Sequence, residues 1–507
     1  MSCLLGHLMG YGQADSGIVS TGHVSALVQS NGTMFSQKDG QAYNHFNTNK
    51  VAQLITYSGQ WMVGVEGTTV YANKNDNWQK PQLWPGPIDT VTNLPKSAVE
   101  WSKIWTITRA EVQEHRNKFD ETGYQMPSNI TNWPAKHNDN NISEFMAPYI
   151  DWNINGVYDP ENGDFPSFEG DYAAYFIAND LFGENVFPQA NKLGIEIQGL
   201  VYAYNRSDLA NTMFVKLYVI NRSDNNYSPF FYGQYVDFQL GNPTDNVVAT
   251  DVQRNLIYAY NGDDNDEDGF GKNLPSAGCI FLSHPLSASS LFTSTDSVRG
   301  LPKSEAEMLA VMNGKWRNNA DKYAVGTGIS GTSQQTTNYI YPKKTDPKVG
   351  DLNWSDENSG DTAGKRKMLG VIKFNDFKSK SYKRIDLAFV FAQDEENTEK
   401  KLQEQADQST DFYKSTLGSS IVYTQQNLKV YPNPFELGRD KAFYINALSA
   451  QLVDKTGKMI VDLEPVDIYE KKFQIPCSEK LASGVYYLKA VTSSGLSYSK
   501  VILISNR

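Results

Sequence analysis

The chain has 507 residues, 40% of them hydrophobic and 20% charged, a composition that excludes a disordered chain and a length that exceeds one ordinary core, so two or three domains are expected. Its 57 acidic residues against 46 basic ones leave a formal net charge of -11, which excludes the basic footprint of a nucleic-acid binder. The three cysteines, Cys3, Cys279 and Cys477, are far apart in the chain and imply neither a disulfide framework nor a zinc site.

In chain order, Cys3 to Ala14 is a short apolar stretch with Gly12 and Ala14 at small-residue positions. It resembles the end of a signal peptide that lacks its basic beginning, and the rival reading is a cytoplasmic N-terminus. Asn31-Gly32-Thr33-Met34-Phe35, Trp61 to Val65 and the turn Trp84-Pro85-Gly86-Pro87 mark strands broken by turns. Thr108 with Glu111 makes a capping box that predicts a helix carrying Val112, His115 and Phe119.

The segment Asp151-Trp152-Asn153-Ile154-Asn155-Gly156-Val157-Tyr158-Asp159 sets oxygen side chains at alternate positions with a glycine at the sixth, the pattern by which a loop wraps a hard cation. Position twelve is Asn162, and Pro148, Pro160 and Pro166 disfavour flanking helices, so the segment is not an EF-hand. Asp151, Asn153, Asn155, the Val157 carbonyl, Asp159 and Asp164 are the candidate ligands of a structural Ca²⁺. The alternative is an Asx-rich turn with no ion.

Runs rich in Val, Ile, Tyr and Phe at 194–205, 212–221, 230–240, 256–261 and 385–392, separated by Asn, Asp, Ser and Gly, predict a β-sandwich. The 29 Tyr, 24 Phe and 9 Trp suit such strands, and a sandwich core accounts for them more simply than a glycan-stacking surface. The acidic run Asp263 to Gly269 reads as a solvated hairpin tip more readily than as a second cation site. Ser304 with Glu307 predicts a short helix that reaches Met312 and stops at Gly314, and a third helix is expected over 397–417 with Leu402, Ala406 and Tyr413 on its apolar side.

Signs of an enzyme are missing from the sequence. His7, His23, His45, His115, His137 and His284 form no H-E-x-x-H, and Gly328-Ile329-Ser330-Gly331-Thr332 is no G-x-S-x-G elbow. A glycosidase needs only two carboxylates, so a secreted polysaccharide-active hydrolase stays open as the alternative function without a nameable pair.

The tail is the most legible part. Leu428-Lys429-Val430-Tyr431-Pro432-Asn433-Pro434-Phe435 opens it, Asp454-Lys455-Thr456-Gly457-Lys458 forms a central turn, and Gly484-Val485-Tyr486-Tyr487-Leu488-Lys489 with Lys500 to Ile504 closes it. Pro432 and Pro434 cannot donate backbone hydrogen bonds, so they end the first strand and force a turn. Short strands between turn signals describe a small immunoglobulin-like sandwich. With Tyr431, Pro432, Asn433, Pro434, Asp454, Gly457, Lys458, Gly484, Tyr486 and Lys500 as its marks, the module resembles the type A C-terminal sorting domain of cargo of the type IX secretion system of Bacteroidetes.

The resemblance implies export to the cell surface or medium, docking at the outer-membrane secretion machinery, and removal of the tail near 423–427. The body, too, resembles a recurrent Bacteroidetes surface-protein family without an assigned reaction, in its N-G-x-x-F start, W-P-G-P turn, N-x-N-G-x-Y-D-P-x-x-G-D-x-P segment and acidic Y-N-G-D-D loop. Where that family has G-D-R-R, this chain separates Gly360-Asp361 from Lys365-Arg366-Lys367. The expectation is therefore a mainly β secreted or surface protein of a Gram-negative bacterium with a binding, adhesive or structural role, whose partners are the secretion machinery and surface glycans or lipopolysaccharide, with no nucleic acid. Its expected parts are a leader remnant at 1–14, a β-rich region with one helix at 15–150, a central sandwich with the calcium loop at 151–393, a helix and linker at 394–423, and the sorting domain at 424–507.

Overall fold

The computed structural model describes residues 14–21, 23–35, 43–47, 50–77, 80–135, 141–142, 146–150, 157–188, 190–267, 269–293, 298–417, 430–437, 440, 442–445, 447, 449–453, 459–467, 472–475, 481–492 and 495–505. The leader-like segment up to Gln13 lies outside them. The chain divides into two compact units, one of Met1–Gln113, His137–Glu144 and Phe168–Thr410, the other of Glu114–Lys136, Phe145–Ser167 and Asp411–Arg507. Both are mainly β, with a few short helices.

Two large sheets make up the first unit. One is eight-stranded, in the order Ser16–Ser20, Val24–Gln29, Tyr43–Asn47, Lys50–Glu66, Phe230–Phe238, Arg366–Phe374, Ala288–Phe292, with Thr69–Lys74 also pairing Lys50–Glu66. The other is nine-stranded, in the order Asn246–Asp251, Leu256–Asn261, Leu274–Phe281, Tyr382–Asp394, Thr212–Asn221, Ile195–Ala203, Tyr172–Asn179, Trp84–Pro85, with Trp105–Thr108 also pairing Tyr172–Asn179. Their inner faces form one core that includes Val28, Met62, Phe176, Val201, Val215, Tyr232 and Phe389.

The strand Phe230–Phe238 is buried on both sides. Phe230, Tyr232 and Val236 enter the inter-sheet core, whereas Phe231 and Tyr235 join Trp61, Leu369 and the helix residues Met308, Val311 and Met312 in a second core on the outer face. That double burial is why the segment reads as an unbroken apolar run without alternation. Trp61, Trp84, Trp105, Trp133, Trp316 and Trp354 are all buried, so the aromatic richness at these positions is core, as expected.

The first capping box forms as predicted, and the second forms by half, since the Glu307 carboxylate accepts Lys303 N–H instead of Ser304 N–H. Thr108 N–H donates to Glu111 Oε2 at 2.8 Å and Glu111 N–H to Thr108 Oγ1 at 3.1 Å, opening the helix Arg109–Lys118. Ser304 Oγ accepts from Glu307 N–H at 3.3 Å, opening Glu305–Met312, and Gly314 at φ +81 lies just past its end. The third helix runs Thr398–Phe412 and ends in a π turn at Tyr413–Leu417; Leu402, Ala406 and Tyr413 are buried.

The connection 298–365 covers one edge strand of each large sheet. Ser289 N–H donates to the Asn338 carbonyl at 3.1 Å and Thr250 N–H to the Tyr341 carbonyl at 3.1 Å, while Val248 N–H is taken by the Asp356 carboxylate at 2.9 Å. Edge strands that would otherwise offer unpaired backbone groups are thereby covered.

Candidate functional site

The tail folds as an eight-stranded sheet system in the order Val430–Tyr431, Ala442–Ile445, Lys472–Gln474, Met459–Asp467, Ser449–Val453, Gly484–Thr492, Gly495–Ser505, Phe435–Leu437. Phe435, Phe443, Ile445, Leu452, Phe473, Leu488, Val501 and Leu503 give it a core of its own. Tyr431 lies opposite Tyr444 on an antiparallel strand. Four residues later, Phe435 pairs in parallel with Leu503.

Between these pairings lies Pro432-Asn433-Pro434, with both X-Pro bonds cis. The prolines carry no N–H, and the Asn433 side chain supplies what the backbone cannot. Its Nδ2 donates to the Lys500 carbonyl at 2.9 Å and its Oδ1 accepts the Ile502 N–H at 3.0 Å. Lys500 and Val501 are in turn paired with Tyr487 and Tyr486, and Gly484 with Leu503. The opening marks Tyr431, Pro432, Asn433 and Pro434 and the closing marks Gly484, Tyr486 and Lys500 thus form one neighbourhood around the last strand. Asp454, Gly457 and Lys458 lie outside the described residues, but the strands on either side of them, Ser449–Val453 and Met459–Asp467, pair antiparallel.

The neighbourhood presents an apolar outward face. Tyr431 is 71% exposed, and Val485, Ile502 and Ile504 are exposed on the closing hairpin, Val485 opposite Ile502. Burial of Val501 and Leu503 with exposure of Ile502 and Ile504 is ordinary strand alternation. Isoleucine at the outward positions leaves apolar surface that a partner could cover.

Of the candidate calcium ligands, Asp151, Asn153 and Asn155 lie outside the described residues. Val157 is exposed. Asp159 and Asp164 bracket a single 3-10 turn, Pro160–Asn162, that ends at Gly163 with φ +101. Asp164 is fully buried, its Oδ2 accepting Asp159 N–H at 2.9 Å and its backbone carbonyl lying 2.9 Å from His115 Nε2. The Asp159 carboxylate accepts from Asn162 Nδ2 at 2.7 Å. Burial pushes the His115 imidazole below its usual range. Among the described residues no group of three or more His, Cys, Asp or Glu side chains stands ready to hold a metal ion.

Two polar clusters in the first unit have no counterpart in the sequence reading. Lys343 Nζ lies 2.8 Å from both Glu399 oxygens and 2.9 Å from Tyr260 Oη, while Tyr258 donates to Glu399 and Tyr260 to Glu357. Every member is paired, and the network braces the helix Thr398–Phe412 against the strand Leu256–Asn261. Ser290 Oγ and Lys322 Nζ are 2.7 Å apart, a nucleophile–base spacing, but both residues are buried, so the pair meets no external substrate. Only the alternation Tyr258-Ala259-Tyr260 hinted at either cluster, because their partners come from segments far apart in the chain.

No family model matches the chain, and no curated protein matches it. Among solved structures, a polysaccharide lyase is similar over 61% of this chain and 34% of that one, at 9% identity and a TM-score of 0.19. A biofilm-associated protein domain is similar over 60% of this chain and 62% of that one, at 10% identity and a TM-score of 0.14. The chain therefore spans about a third of the lyase's length. Scores this low carry no functional argument. No helix among the described residues is long and apolar enough to cross a membrane.

Proposed function

We propose that this chain is a cargo of the type IX secretion system of Bacteroidetes, exported through its module at 424–507 and working at the cell surface or in the medium in a binding, adhesive or structural role. One observation carries the reading. The Asn433 amide ties the Tyr-Pro-Asn-Pro opening to the closing strand at Lys500 and Ile502, so marks nearly seventy residues apart in sequence become one surface, as a signal read by a receptor requires. The outer-membrane secretion machinery is the partner for that surface. Surface glycans or lipopolysaccharide are the ligand class for the body.

A structural calcium ion at Asp151, Asn153, Asn155, the Val157 carbonyl, Asp159 and Asp164 belongs to the same reading. Asp164 supports it, as a buried carboxylate beside a second acid across one tight turn. The oxygen-only ligand set suits a hard cation over a transition metal.

The test of export is fractionation of the native organism with and without residues 424–507, followed by intact mass of the exported form. Tail-dependent appearance at the surface or in the medium, as a product lacking the tail, is expected. A truncated chain that still reaches the surface would overturn the assignment.

A further inference from the structure

His284 stands beside a hydroxyl. It follows the strand Leu274–Phe281 and precedes Pro285, which keeps its backbone out of the helical region. Its Nδ1 lies 2.9 Å from Ser283 Oγ. The neighbouring strand Tyr382–Asp394 holds this segment in place, since the Asp386 carbonyl takes Leu282 N–H at 2.9 Å and Ser283 N–H at 3.3 Å. Asp386 N–H in turn donates to Ser283 Oγ at 2.9 Å. With one lone pair engaged by that N–H, the hydroxyl keeps its own proton for Nδ1, so the serine donates and the imidazole accepts.

The ring is fixed as well. It packs edge-on against Phe374, with centroids 4.9 Å apart and planes at 71°. Lys383 Nζ stands over the same phenyl ring, 5.2 Å from its centroid, and the Asp376 carboxylate lies 3.6 Å from that ammonium. Arg384 Nε stands 2.8 Å from Asp386 Oδ2. Burial pushes the imidazole below its usual range; the Asp386 carboxylate opposes this, and Lys383 and Arg384 add to it. His284 is thus neutral at pH 7, the form a general base needs. Unlike Ser290 and Lys322, which are sealed inside, Ser283 and His284 are each only partly buried.

We propose that Ser283 is a nucleophile toward small acyl esters, with His284 as its base. Oγ bonds to the ester carbonyl carbon as its proton passes to Nδ1. The bond from that carbon to the alcohol oxygen then breaks, and the proton leaves with the alcohol. Water adds to the acyl-serine by the same route and frees the carboxylic acid. The N–H groups of Leu282 and Ser283 are spent on Asp386, so they give the oxyanion no stabilisation and turnover is slow, confined to esters with good leaving groups. This activity goes beyond the export reading and does not rest on it.

The test treats the full chain with a fluorophosphonate, locates the adduct by peptide mass, and follows p-nitrophenyl acetate hydrolysis before and after. An adduct on Ser283, with loss of the hydrolysis as it forms, is the expected result. Because the adduct is mapped on the unsubstituted chain, the outcome does not depend on a variant folding. His284→Gln removes the base and should slow labelling of Ser283 roughly a hundredfold or more. A Ser283 peptide that stays unlabelled, or hydrolysis that persists after full labelling, would overturn the proposal. Labelling of His284→Gln at the unsubstituted rate would overturn it equally, because the serine would then react without its base.

Discussion

Asn433 accepts the Ile502 N–H at 3.0 Å while donating to the Lys500 carbonyl at 2.9 Å, so its side-chain amide stands beside Val501 as a peptide unit of a parallel strand would. The pairing of Phe435 with Leu503 begins two residues later in the same register. One amide therefore extends a ladder that Pro432 and Pro434 interrupt. An aspartate at the same place could accept from Ile502 but could not donate to Lys500.

Asn433→Asp should thus cost more than loss of one neutral hydrogen bond, about 1 to 2 kcal/mol in the tail module, since a carboxylate would face the Lys500 carbonyl. Hydrogen exchange read at Ile502 and neighbouring amides of the full chain should quicken while exchange in the body stays unchanged. Equal protection in the two proteins would remove the clamp from the argument.

Lys322 gives a pH dependence of known sign. Among the described residues no carboxylate pairs with its ammonium, which donates to the Ser289 carbonyl and Ser290 Oγ at 2.7 Å and the Asn338 carbonyl at 3.5 Å, and burial pushes it down to about 7 from the ordinary 10.5. Between those values the unfolded chain binds the proton and the folded chain does not, so stability should rise with pH across that window, by up to about 1.4 kcal/mol per unit. Below about 7 the penalty is fully present. Denaturant melts across the window should show this contribution, and Lys322→Met should remove it; identical slopes would mean the lysine is charged in place.

Arg366 holds Asp356 by Nε to Oδ2 at 2.9 Å and a second nitrogen to Oδ1 at 3.1 Å, and Asp356 also takes Val248 N–H. Desolvation already raises the Asp356 carboxyl despite the guanidinium. Arg366→Met would leave that carboxylate buried and alone, with a loss of about 3 to 5 kcal/mol. Adding Asp356→Asn should recover part of the loss, because the charge goes and an acceptor for Val248 remains. A double variant no better than the single one would contradict this.

The helix Thr398–Phe412 carries both polar and apolar anchors. Arg254 grips Asp407 at 2.9 and 3.0 Å, but the Asp407 side chain is half exposed, so Asp407→Asn should cost no more than about 1 kcal/mol. Leu402 is fully buried, and Leu402→Ala should cost about 2 to 5 kcal/mol. Urea melts of the two variants compare them directly. A larger loss for Asp407→Asn would mean the polar contacts carry the docking.

The strands Ile195–Ala203, Thr212–Asn221, Phe230–Phe238 and Leu256–Asn261 were legible because β-branched and aromatic residues dominate them, and the first two helices because their capping boxes are local. The strands Tyr172–Asn179, Leu274–Phe281 and Ala288–Phe292 were not, since Ala, Gly and Ser weaken their pattern. Their large residues fill space that glycines on other strands leave. A Cβ on Gly199 would stand 2.2 Å from the Phe176 ring of the paired strand, and one on Gly370 would stand 2.5 Å from the Phe281 ring of the other sheet, so bulk is shared across a register and across the sandwich in ways that neither segment reveals alone.

By itself, the sequence determined the mainly β class, the helix starts, and the ordered marks of the tail, because each rests on residues within a few positions of one another. Tertiary structure alone decided that Asn433 completes a ladder begun by Phe435, that Asn338 and Tyr341 cover two sheet edges, and that the Asp356 carboxylate takes the Val248 N–H. Such contacts depend on which distant segments the sheet order brings together. Local preference sets what a segment can become, and long-range pairing sets what it touches.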